Sequence, residues 1–181
     1  MKRALVPLFD KFEEIEAIAP IDIMRRAGVE VVAASLEGDL RVVGRSAIAV
    51  AADAFFKDVC EKPFDIVVLP GGPGVHKLKD CGLLLNTLRK QSERGGLVAA
   101  ICAAPAVLMS AGVLAGAKCT AHISVAGDLP GCDVSQRVVF DKNIVTSRGA
   151  GTAVEFGLKI VEILSGEKTS KDVAKSIHFI D

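Results

Sequence analysis

The chain has 181 residues, 50% hydrophobic and 24% charged, which suits a packed globular chain and excludes disordered, collagenous and low-complexity classes. Lys+Arg and Asp+Glu are equal at 22 each, so charge gives no pull toward nucleic acid or an anionic membrane. Trp and Tyr are absent and the 8 Phe are scattered, which argues further against a base-stacking surface.

In chain order, residues 2–8 read as a strand and 13–27 as a helix that Gly28 stops. Residues 29–35 form a second strand rich in β-branched side chains, and 42–51 an antiparallel excursion with turn signals at 37–39 and Gly44. Residues 64–69 are an apolar strand that runs into a breaker loop, Pro70-Gly71-Gly72-Pro73-Gly74. A helix over 83–94, a strand over 97–101 and a helix over 105–111 follow. Short runs at 137–140 and 143–146 flank Asp141 and Lys142 as a hairpin; helices over 152–164 and 170–177 close the chain. The uncharged run 95–117 is long enough for a bilayer. Its Ala, Gly and Pro105 read better as a buried strand followed by a buried helix.

No repeat or linker divides residues 1–181, so one domain is expected. The alternation predicts an α/β, doubly wound sandwich: a mostly parallel central sheet with helices on both faces. Ligands of such folds sit beyond the carboxyl ends of the strands, near the point where strand order reverses. The informative positions are therefore the loop after Leu8, the 70–74 loop and Cys102.

Cys102 stands at a strand-to-helix junction among small residues, an arrangement that suits a nucleophile elbow without the usual flanking glycines. A helix start there favours thiolate through the dipole; the alternative is a small buried filler beside the sheet. Glu16 shares a helical stripe with Ala19, Ile23 and Ala27, so its carboxyl is expected to be desolvated and its pKa raised. The plainer alternative is a first-turn acid facing the dipole, a role that Glu13 and Glu14 also fill, and these two are expected to face solvent. His122 supplies a Cys–His combination with Cys102, while Cys119-x-x-His122 is half of a zinc pattern and too little to call a metal site. His76 and His178 read as surface residues. The glycines of the 70–74 loop lack nucleotide-binding spacing; the N–H groups of Gly71, Gly72 and Ala103 instead suit a reacting oxygen. The 5 cysteines are odd in number and form no CxxC pair. Acidic residues arrive before an apolar leader accumulates at the start, and the chain reads as cytoplasmic.

Together, residues 2–6, Glu13-Glu14-Ile15-Glu16, Met24-Arg25-Arg26-Ala27-Gly28, Val67-Val68-Leu69-Pro70-Gly71-Gly72, Ala99-Ala100-Ile101-Cys102-Ala103 and 146–152 resemble the ThiJ/PfpI superfamily. The resemblance is closest to its parkinsonism-associated DJ-one branch and extends over nearly the whole chain. It implies a flavodoxin-like homodimer with a reactive cysteine at Cys102, a protonated glutamate at Glu16 and a nearby histidine at His122. Anion-binding backbone glycines match Gly71 and Gly72, and two arginines at the dimer-facing entrance match Arg26 and Arg45. The activities it implies are cofactor-independent and metal-free: glutathione-independent glyoxalase (glyoxalase III-type lyase) and deglycase (hydrolase) chemistry on methylglyoxal, glyoxal and their adducts. Oxidative-stress sensing through a cysteine sulfinate, with chaperone-like behaviour, is the non-enzymatic alternative. Ala103 stands where the peptidase-like branch has His, which counts against a cysteine peptidase. Ala150 and Ile123 replace prolines common in the closer branch. Neither membrane nor specific nucleic-acid binding is expected.

Overall fold

The apolar runs of the sequence line up side by side as one seven-stranded sheet. The computed structural model describes residues 1–179. Strand β1 (Arg3–Leu8) is flanked on one side by β2 (Glu30–Ser35) and then the short β5 (Ala54–Phe55). On its other side come β6 (Ile66–Leu69), β7 (Leu97–Ile101), β9 (Ile144–Ser147) and β8 (Val138–Asp141). Neighbours run parallel except β8, which pairs antiparallel with β9 across the expected hairpin. Every residue of β6 is buried, which is why that strand reads as an unbroken apolar run. The excursion over 42–51 is a separate antiparallel pair, β3 (Arg41–Val43) with β4 (Ala49–Ala51).

The longer helices fall close to the periodic segments. These are α1 (Glu14–Arg26), α4 (Gly82–Glu93), α5 (Pro105–Ser110), α7 (Ala153–Ser165) and α8 (Glu167–Ser176). Helix α8 starts earlier than the sequence suggested, because Gly166 turns the chain at φ 91° and Glu167 resumes helical backbone at once. Three four-residue helices were not anticipated: α2 (Phe56–Val59), α3 (Val75–Leu78) and α6 (Ile123–Ala126). One turn is too short to express a helical period. Helices α1 and α7 pack against each other, and a Cβ on Gly157 would lie 2.9 Å from Ile23 Cδ1, so a side chain there would force them apart.

From β1 the chain winds outward to β2 and β5, then returns and winds the other way through β6, β7 and β9. Right-handed crossovers in the two directions place α1 and α4 on opposite faces of the sheet. The strand order reverses between β1 and β6, so the segments following β1, β6 and β7 converge at one end. Those segments carry Glu16, Gly71 and Cys102. Residues 95–117 divide into β7, α5 and turns. Among the described residues, no helix is long and apolar enough to cross a membrane.

Candidate active site

Cys102 follows the last residue of β7 and adopts φ 63°, a left-handed conformation that a side chain disfavours by roughly 1–2 kcal/mol. Two hydrogen bonds hold it there. Its N–H donates to the Ser147 carbonyl at the end of β9 (2.8 Å), and its carbonyl accepts from the His122 N–H (2.9 Å). The elbow predicted from small flanking residues is therefore present. Helix α5 begins only at Pro105, three residues on, and spans 6 residues, so a helix dipole acting on the sulfur is not the governing influence. Burial governs instead. It pushes the thiol up to about 12, the Glu16 carboxylate adds to the rise by charge and hydrogen bond, and the Ala103 N–H opposes it. Enclosure and the ionised Glu16 thus favour the protonated sulfur, against the thiolate expected from a helix dipole.

Glu16 lies on the inner face of α1, 1% exposed, which selects the desolvated carboxyl over the plain first-turn acid. Its Oε2 accepts a hydrogen bond from Gly71 N–H at 2.9 Å, and the Cys102 thiol lies on the other side of Gly71, near enough to the same carboxyl to favour its ionised form. Burial raises its pKa to about 7, with Glu13's charge adding to the rise; the bonds from Cys102 and Gly71 and the charge of Arg45 hold it lower. Near neutral pH the Glu16 carboxyl therefore gains and loses its proton beside a thiol that keeps its own.

This arrangement alters the role expected for Gly71. Its N–H is already engaged by Glu16, leaving the Ala103 N–H as the backbone donor on the sulfur, with Gly72 lining the same cavity. Both glycines are required by space. A Cβ on Gly71 would sit 2.5 Å from Glu16 Oε2 and 2.8 Å from Cys102 Cβ. One on Gly72, at φ 112°, would meet the backbone at Glu13 and Lys11 at 2.5 Å.

The acids of the first turn do not face solvent. Glu13 is half-buried at the N-cap of α1, where Oε2 accepts from Glu16 N–H at 2.8 Å, and it lines the cavity above the sulfur. Glu14 is buried against Gly44; one carboxyl oxygen accepts from Ser46 N–H and the other has no partner. The chain turns inward before α1 because Glu13 N–H bonds to Gly71 O at 2.9 Å, a tertiary contact with no local sequence signature.

His122 is exposed at the start of α6, and its Nδ1 accepts from Ser124 N–H at 3.2 Å. That bond leaves the proton of a neutral ring on Nε2. Among the described residues no hydrogen bond joins the ring to Cys102; the two are linked through backbone, and Glu16 is the sulfur's partner. The expected Cys102–His122 combination thus shares one cavity without a side-chain hydrogen bond between its members. Cys102, Ala103, Gly72, His122 and Arg45 line one open cavity of about 330 Å³, together with Glu13, His76 and Lys79. His76 is a surface residue, as expected, but one at the cavity mouth. Arg26 is absent from this group. It lies at the other end of α1, ion-paired to Asp22 at 2.8 Å and roughly 15 Å along the helix from Glu16. Cys119 turns away from His122 toward Cys132. Among the described residues no cluster of three or more His, Cys, Asp or Glu could hold a metal.

The geometry can be set beside known proteins. The DJ-1/PfpI family model matches residues 2–163. Protein DJ-1 homolog A of Arabidopsis thaliana is 42% identical over 95% of this chain, yet the match covers 45% of that protein, so the chain spans under half its length. A protein of Caenorhabditis elegans named glutathione-independent glyoxalase DJR-1.2 is 37% identical, over 91% of this chain and 89% of its own. The structure of oxidized DJ-1 from Toxoplasma gondii is 37% identical and covers 98% of both chains at a TM-score of 0.94. Sequence and flavodoxin-like architecture agree, and the chain belongs to the DJ-1/PfpI family.

Proposed function

We propose that this protein converts small dicarbonyls such as methylglyoxal and glyoxal to hydroxy acids without glutathione, using Cys102 as nucleophile and Glu16 as acid–base. The observation that carries the reading is the buried Glu16 carboxyl, raised to about 7, bonded to a thiol held in the strained elbow. A group that titrates near the working pH can both accept and return a proton.

The steps follow from that pair. As Cys102 Sγ adds to the aldehyde carbon, Glu16 takes the thiol proton and passes it to the new oxygen, giving a hemithioacetal. Gly72 and Ala103 N–H groups face the developing oxyanion. Glu16 then removes the proton from the former aldehyde carbon and delivers it to the neighbouring carbonyl carbon, leaving a thioester and a new hydroxyl. His122, with its proton on Nε2, gives that proton to the second oxygen during the shift and takes back the hemithioacetal hydroxyl proton as the thioester carbonyl forms. Water hydrolyses the thioester, which releases lactate from methylglyoxal and returns the thiol. The cavity of about 330 Å³ admits a three-carbon dicarbonyl, and its Arg45 and Lys79 favour oxygen-rich substrates. Glycated adducts would enter through the same opening for deglycase chemistry. Incubation with methylglyoxal in thiol-free buffer, followed by proton NMR, tests the reading: lactate is expected, and unchanged methylglyoxal overturns it.

A second reading uses the same atoms. The Cys102 sulfur, its proton taken by Glu16, receives two oxygens from two peroxide molecules, releasing two waters, and the resulting sulfinate accepts hydrogen bonds from protonated Glu16 and Ala103 N–H. What favours it is the placement of both donors on the sulfur. Stoichiometric sulfinate formation with no dicarbonyl turnover would select it.

Assembly as a homodimer belongs to the proposal too. Ile15 and Ile18 of α1 are 55% and 40% exposed while Ile21, Ile23 and Met24 are buried, so the helix carries an apolar face beyond what its own core covers. A second copy packed there would cover it. The compartment we propose is the reducing cytosol, consistent with all five cysteines being free.

A further inference from the structure

Away from the elbow, two thiols meet where the mechanism has no use for them. Cys119 and Cys132 are direct partners in an isolated parallel β-bridge. The segment around Cys119 is fixed at alternate residues on its other edge. Lys118 N–H donates to Asp141 Oδ2 (2.8 Å), Thr120 N–H to Thr146 Oγ1 (2.9 Å) and His122 N–H to the Cys102 carbonyl (2.9 Å). Its free edge receives the loop that carries Cys132: Asp133 N–H donates to the Cys119 carbonyl at 2.9 Å, and Cys132 N–H to the Leu129 carbonyl at 3.1 Å. Directly paired strand residues stand about 4.8 Å apart, with side chains on one face of the ribbon. That spacing lies inside the window of about 4.4–6.8 Å between Cα atoms that a disulfide tolerates.

We infer that Cys119 and Cys132 form a reversible intramolecular disulfide when the protein meets hydrogen peroxide, independently of Cys102. The two cysteines divide the roles by exposure. Cys119 is 1% exposed and Cys132 half-buried, so peroxide reaches Cys132 first. The Cys132 sulfur attacks one peroxide oxygen, the O–O bond breaks, and the departing hydroxide takes the thiol proton to leave as water, giving a sulfenic acid on Cys132. Cys119 sulfur then displaces the sulfenic hydroxyl, which departs as water with the Cys119 proton. The balance is two thiols and one peroxide to one disulfide and two waters. Burial, together with the neighbouring Cys132, pushes the Cys119 thiol up to about 11. It is therefore a poor nucleophile toward free oxidant, but one already in place for the sulfenic sulfur. The bond would tie the ends of the segment that holds α6 and His122, and it gives the chain an oxidation site that thiols reverse.

The test uses Cys102→Ser, which removes the elbow sulfur and leaves four thiols. The variant is treated with one equivalent of hydrogen peroxide, alkylated and mapped as non-reduced peptides. The expected result is loss of two free thiols, a Cys119–Cys132 cross-link, alkylated Cys60 and Cys81, and full recovery of four thiols with dithiothreitol. In Cys102→Ser/Cys132→Ser, Cys119 should stay reduced at the same dose, with at least a tenfold slower loss of thiol. Peroxide treatment that leaves both thiols alkylatable, takes Cys132 to sulfinate without a cross-link, or links Cys132 elsewhere overturns the inference. Because Cys102 is absent, none of these outcomes bears on the dicarbonyl reading.

Discussion

Replacing Glu16 with Gln should remove a slope from the pH dependence of stability, and the site sets the size of that slope. Burial lifts the Glu16 pKa from 4.5 to about 7, so between these values the folded chain keeps a proton that the unfolded chain has released. Stability from this group is thus fully present at low pH, declines as pH rises through the window, and levels off above the folded pKa. With each unit worth about 1.4 kcal/mol, the wild type should lose about 2–3 kcal/mol from this group between about pH 5 and about pH 8. Gln keeps the shape and can accept from Gly71 N–H, yet has no proton to hold. Urea unfolding of both proteins at the two pH values, at matched protein concentration, isolates the effect. Other groups contribute equally to both chains and cancel in the double difference. A wild-type slope equal to that of Glu16→Gln would refute the claim that burial holds this proton.

Glu13→Gln should lower the Glu16 midpoint, because Glu13's charge helps to raise it; a carbonyl-stretch titration by infrared difference spectroscopy reads the shift. Gly71→Ala should lose turnover and roughly 1–3 kcal/mol of stability, since its Cβ would overlap both Glu16 and Cys102, whereas Gly82→Ala has open space and should leave turnover unchanged. Thermal unfolding and a dicarbonyl assay on the pair distinguish a specific clash from a general intolerance of added methyl groups. Sedimentation at micromolar concentration should show a dimer, and Ile15→Glu with Ile18→Glu should yield monomer; a monomeric wild type contradicts the helix-face argument.

Much of this was legible because strand and helix periods are local. The buried run at β6 shows in sequence, and the stripe through Glu16 and Ile23 raised a desolvated carboxyl beside a first-turn acid as the two readings of Glu16. What sequence could not show depends on tertiary contacts. Glu13 turns inward because Gly71 O captures its N–H, and Gly71 loses its place as an oxyanion donor because Glu16 captures its N–H. The thiol's high pKa likewise arises from enclosure by elements far apart in the chain, while local position suggested a dipole. Arg26 was placed at the entrance by resemblance alone; within one chain, α1 carries it to the opposite end, paired with Asp22. The Cys119–Cys132 pairing was hidden for the same reason, since a bridge between two irregular segments has no period to detect.

The central claim is that Cys102 and Glu16 act as one proton-sharing unit on a dicarbonyl. Lactate formation from methylglyoxal, measured for wild type, Cys102→Ser and Glu16→Gln at equal folded concentration, tests it most directly. The account predicts turnover by the wild type, none by Cys102→Ser, and a loss of ~10²-fold or more in Glu16→Gln, the range typical of a missing general acid–base. Lactate formed at the wild-type rate by either variant would contradict it.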